Sequence, residues 1–89
     1  MINSPVVRNL ATQFAQRVRP DDKAKLDDVI NQSYQIALSR PATAEETKTM
    51  TAFIQAQISA RGGNAAAEQL AVRDFCHLLL CANEFIYVD

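Results

Sequence analysis

The sequence predicts an all-α fold: a compact four-helix bundle-like domain with a short extended C-terminal tail. Three observations carry this. Apolar residues recur at helical spacing through four segments. The two glycines and three prolines stand between those segments or at their starts. Period-two runs of Val, Ile and Thr are absent before the last six residues. With 89 residues, 48% of them hydrophobic and 21% charged, residues 1–89 have the size and composition of one folded domain with a single core.

The first helix is expected to open at Ser4-Pro5, a side-chain acceptor followed by a residue whose missing N–H costs nothing in a first turn. Val6, Leu10, Phe14 and Val18 recur every four residues, with Val7, Ala11 and Ala15 beside them, and form the predicted apolar stripe. Pro20 interrupts this pattern, and Asp21 or Asp22 is the predicted cap of a second helix reaching about Ser39. Its inner face comprises Leu26, Ile30, Tyr34, Ala37 and Leu38. Val29 and Ile36 widen that face and predict a central helix.

Pro41 stops the second helix, because the residue before a proline is pushed out of the α region. "TAEE" then reads as a capping box, with Thr43 and Glu46 exchanging side-chain and backbone hydrogen bonds. Met50, Phe53, Ile54 and Ile58 supply the third stripe, and Gly62-Gly63 ends it where a left-handed backbone is easiest. Asn64 is the predicted cap of a fourth helix, whose broad face includes Leu70, Phe75, Cys76, Leu78, Leu79, Leu80 and Ala82. After Asn83, "EFIYVD" has the β-branched and aromatic content of an extended tail, with Phe85 and Tyr87 on one side and Ile86 and Val88 on the other. Short connections favour antiparallel neighbours, in either an up-and-down or an orthogonal arrangement.

Charge narrows the partners. Nine Lys and Arg against ten Asp and Glu give −1 overall, and the only loose basic run is "RVRPDDKAK". A phosphate backbone finds little long-range attraction in such a chain, so no nucleic-acid partner is expected. No apolar stretch approaches the roughly 20 residues that cross a bilayer, so no direct membrane insertion is expected. "MINSPVVRNL" lacks the charged flank and apolar block of an export signal. Two helices joined through "SRPATAEE" superficially suggest a helix-turn-helix, but Glu45 and Glu46 would stand where phosphate comes close.

The closing stretch "DFCHLLLCANEFIYVD" holds both cysteines and the only histidine. Covalent haem attachment requires C-x-x-C-H, a spacing this chain lacks. Asp74, His77 and Cys81, at i, i+3 and i+7, share a helix side and are ligand types zinc accepts. A structural zinc needs four ligands, and no further Cys or His exists outside this stretch. The structural alternative pairs Asp74 with His77 at the surface and uses Cys81 to fill a small buried gap. Ser33, Ser39 and Ser59 lack a nucleophile-elbow context for His77 to serve as base, and Glu45 with Glu46 is explained by a helix start. No catalytic, cofactor-binding or metal residue is assigned on these grounds.

"NSPVV", "RVRPDD", "YQIALSRPATAEE" and "DFCHLLLCANEFIYVD" together resemble the C-terminal domain of unknown function found in large planctomycete proteins. The similarity covers essentially the whole chain. Its most specific part is the closing motif, where Asp74, Cys76, His77, Leu79, Asn83, Glu84, Phe85, Tyr87, Val88 and Asp89 keep the family's order. Ser39 replaces the family's glycine, which puts a left-handed turn there in question, and Cys81 replaces its usual asparagine. The resemblance implies the end domain of a longer exported protein, often one carrying a cytochrome c-like module that holds its own haem. It implies no activity for these residues.

The resulting expectation is a non-catalytic helical module whose partners are other domains of its parent chain or further copies of itself. The alternative donates His77, Asp74 and Glu84 to an active site completed by a neighbouring domain.

Overall fold

A computed structural model describes residues 5–21 and 23–87, with side chains through Ala82. Four helices follow in order: α1 (Pro5–Val18), α2 (Leu26–Leu38), α3 (Ala44–Ala60) and α4 (Ala65–Tyr87). No strand occurs among the described residues. The all-α, four-helix bundle-like fold is therefore the observed one. The radius of gyration is 12.3 Å, close to the roughly 12 Å of a well-packed chain this long.

Helix α1 begins at Pro5, as its fixed φ favours, but its buried face is Val7, Ala11, Phe14, Ala15 and Val18. Val6 and Leu10, expected inside, are 69% and 49% exposed. A strict four-residue spacing advances 400° per step, so it drifts by about 40° each time and leaves the inner face within two steps. The observed set alternates spacings of four and three and stays on one side.

The N-cap of α2 is Lys25, four residues after Asp21 and three after Asp22, the two predicted caps, and Asp22 lies outside the described residues. Asp21 caps a turn instead: its carboxylate accepts from the Lys23 N–H at 2.8 Å. Lys25 occupies the N-cap without a side-chain hydrogen bond, and Asp27 and Asp28 place their charge in the first turn, where the helix dipole favours it. Ser39 ends α2 in the left-handed region, with φ 58° and its N–H on the Gln35 carbonyl. The left-handed turn thus forms without the glycine.

The capping box at α3 is complete. The Glu46 N–H donates to Thr43 Oγ1 at 3.1 Å, and the Thr43 N–H donates to Glu46 Oε1 at 2.9 Å. At the other end, the Gly63 N–H reaches the Ile58 carbonyl at 2.9 Å and the Gly62 N–H reaches Ser59 at 3.3 Å. This is a Schellman ending, and it requires the positive φ of Gly62, 103°. Asn64 Oδ1 then accepts from the Ala67 N–H at 2.8 Å and opens α4.

Helix α4 packs against all three others, most extensively against α1 and α3. Ala67, Ala71, Val72, Phe75, Cys76 and Leu79 carry its buried face. It is the central element, as the breadth of its predicted face implied; α2, also expected to be central, touches all three other helices but leaves Ile36 43% exposed. Phe14, Val18, Val29, Ile30, Tyr34 and Ile54 close the core around it. The Tyr34 and Phe75 rings stack with centroids 6.4 Å apart.

The expected extended tail is overturned over most of its length. The backbone of α4 remains helical through Tyr87, so Asn83 does not terminate it. Growth of a formed helix gains one hydrogen bond per residue without a new nucleus, which outweighs the roughly half a kcal/mol by which Phe, Ile and Tyr trail the best helix formers. The projected alternation of Phe85, Ile86 and Tyr87 concerns side chains that lie outside the described ones. Val88 lies outside the described residues.

Candidate functional site

The α4 segment was the richest candidate, and its polar side chains are largely engaged in holding helices together. Asp74 is half-buried and accepts from Arg61 at 2.7 Å and from Arg73 at 3.1 Å. The first of these fastens the end of α3 to the middle of α4. His77 is half-buried on the same helix. Among the described residues, no three of His, Cys, Asp and Glu are grouped so as to hold a metal. Asp74, His77 and Cys81 therefore do not form a ligand set. Glu84 lies beyond the described side chains.

The sequence placed Cys81 in a buried gap, whereas the fully buried thiol is Cys76 and Cys81 is only half-buried. Burial pushes the Cys76 thiol up to about 12, and the neighbouring Ser33 hydroxyl offsets this in part. Ser33 Oγ is itself fully buried, and its contact with the thiol falls short of hydrogen-bond geometry. A thiol so protonated is a poor nucleophile. The remaining serines are dispersed, with Ser39 exposed at the end of α2 and Ser59 exposed on α3.

Two polar constructions were not assigned from the sequence. The first lies at the α2–α3 corner, where Arg40 grips Glu46 through two parallel bonds of 2.7 and 2.8 Å and lies 5.4 Å over the Tyr34 ring. Glu46 thereby joins the capping box to the corner. Its carboxyl is held down to about 2, chiefly by the Arg40 hydrogen bonds and then by the Thr43 N–H. Burial raises the Tyr34 pKa, Glu46 adds to that shift, and Arg40 opposes it. Asn31 reaches the same corner by accepting from the Ala42 N–H at 3.3 Å. This acidic, already neutralised helix start is unlike a phosphate-reading one.

The second construction is Arg19. Only 6% exposed, it donates to Glu68 at 2.5 Å and to Gln69 at 2.8 Å, joining the end of α1 to the first turns of α4. The signal for it was the arginine directly after the apolar position Val18, within the loose basic run. Two open grooves, of about 440 and 480 Å³, flank Pro20 beside it. One is lined by Gln16, Arg19, Asp21 and Gln69, the other by Arg17, Asp28, Asn31 and Gln32. Neither contains a histidine or a cysteine. Both are open to water, and apart from the buried Arg19 and the half-buried Gln69 their polar lining residues are exposed.

No known family model, curated protein or solved structure matches the chain. No helix among the described residues is long and apolar enough to cross a membrane.

Proposed function

We propose that this chain is a non-catalytic helical module of a longer, exported protein and packs against a neighbouring domain of that protein. The observation that carries the reading is the Val6–Leu10 pair. These residues lie one turn apart on α1, 69% and 49% exposed, while the adjacent face of the same helix is buried. Two aliphatic side chains at i and i+4 form the start of an apolar strip, the feature a packed neighbour would cover. The polar groups that could have suggested chemistry, Asp74, Glu46 and Arg19, serve as ties between helices. The resemblance of the whole sequence to a planctomycete C-terminal domain supports a place at the end of such a chain.

The alternative, a site shared with a neighbouring domain through His77, Asp74 and Glu84, is not favoured: Asp74 already satisfies two arginines.

The test replaces Val6 and Leu10 by Glu, both in the parent protein and in the 89-residue chain. The melting temperature of the parent should fall by clearly more than that of the isolated module, which should move by no more than about 4 °C, since exposed substitutions usually change stability by less than about 0.5 kcal/mol. Equal melting of substituted and unsubstituted parent would refute the packing role.

A further inference from the structure

We propose that Cys76 and Cys81 make this fold redox-sensitive: the disulfide that joins them is incompatible with helix α4, so the reduced chain folds and the cyclised chain does not. Both residues carry thiols in the structure, and both lie within the unbroken helix Ala65–Tyr87. Residues five apart on an α-helix are separated by about 7.5 Å along the axis and about 140° around it, which puts their Cα atoms roughly 8.6 Å apart. A disulfide spans at most about 7 Å between Cα atoms. Cyclisation therefore has to unwind α4 between the two positions.

That stretch cannot be spared. Phe75, Cys76 and Leu79 belong to the buried core, and α4 is the helix every other helix packs against. Cys76 is fully buried, so it meets an oxidant only when this part of the core opens. Burial also keeps its thiol protonated at neutral pH. Folding protects the thiol and the disulfide prevents folding. The two states exclude each other through one helix, without any contribution from neighbouring domains.

The chemistry is ordinary thiol–disulfide exchange with a small disulfide oxidant. One cysteine, as thiolate, attacks the oxidant, forms a mixed disulfide and expels one small thiolate. The second cysteine loses its proton, attacks the protein sulfur of that mixed disulfide and expels the other small thiolate. Two protein thiols become one protein disulfide, the oxidant is reduced to two thiols, and the released protons pass to them.

The experiment treats the purified chain with oxidised glutathione, with and without urea, and follows intact mass and far-ultraviolet circular dichroism. In urea the cyclised species, lighter by two hydrogens, should form readily. After removal of urea it should lack most of the helical signal until dithiothreitol restores it. Without urea the same species should form on the order of a thousandfold more slowly or less, since it must await opening of the core. Cys76→Ala, which cannot cyclise, should recover its helicity after the same treatment. A cyclised species as helical as the reduced chain would overturn the proposal. So would cyclisation equally fast with and without urea.

Discussion

Ser33 and Cys76 illustrate how much a single position can hide. Both face the core between α2 and α4, and the hydroxyl there has no hydrogen-bond partner. An unsatisfied buried hydroxyl costs on the order of 1 to 3 kcal/mol, and alanine is also the better helix former by about half a kcal/mol. Ser33→Ala is therefore expected to raise stability by about 1 kcal/mol, read as a higher urea midpoint with an unchanged slope. A drop in the midpoint would mean that the contact with the Cys76 thiol is worth more than the hydroxyl's desolvation. Sequence patterns could not reveal this, because a serine on an amphipathic helix reads as surface, and here it lies one residue before Tyr34 on the inner side. Of the two cysteines, the burial of Cys76 was legible, since it belonged to the predicted broad face of α4, whereas Cys81, expected in a buried gap, is only half-buried. Ser39 shows the reverse limit. A glycine would have announced the left-handed turn, yet Pro41 and the corner built by Arg40 hold a serine there at φ 58°.

At the scale of elements, local chemistry was legible and long-range register was not. The Thr43–Glu46 box, the Gly62-Gly63 ending and the Asn64 cap follow from hydrogen bonds spanning three to five residues, and all three form. The buried face of α1 was read correctly except for Val6 and Leu10, which cumulative rotation turns outward, and the start of α2 was misread because its aspartate is satisfied by a turn. The persistence of α4 beyond Asn83 escaped because strand propensity was weighed without the helix already present. Glu46 gives this scale its measurable consequence. Its pKa is about 2 in the fold against an ordinary 4.5. A lowered folded pKa means that the unfolded chain takes up the proton first. The stabilisation is therefore whole above about 4.5 and is lost progressively as pH falls towards about 2. Melting temperatures across that window should decline less steeply for Glu46→Gln than for the unsubstituted chain. Identical slopes would detach the Arg40–Glu46 grip from folding.

For the whole molecule, the decisive fact is that α1 reaches the rest of the domain mainly through α4. Two contributions fix that pairing: the apolar face from Val7 to Val18, and Arg19 beyond it. Arg19 is 6% exposed and Glu68 40%, so the pair is screened on one side only and should be worth less than a fully buried one. Arg19→Met retains most of the apolar stem, removes both hydrogen bonds, and leaves Glu68 free to hydrate. The expected loss is about 2 kcal/mol, near the range for hydrogen bonds to charged groups. A domain of 89 residues has a total stability of roughly 4 to 13 kcal/mol, so the loss should be plain in urea unfolding. Pairing this substitution with Glu68→Ala separates the tie from packing. If the ion pair is the tie, the double variant should lose clearly less than the sum of the singles. A strictly additive cycle would assign the anchoring of α1 to the apolar face alone, with Arg19 acting only through its stem.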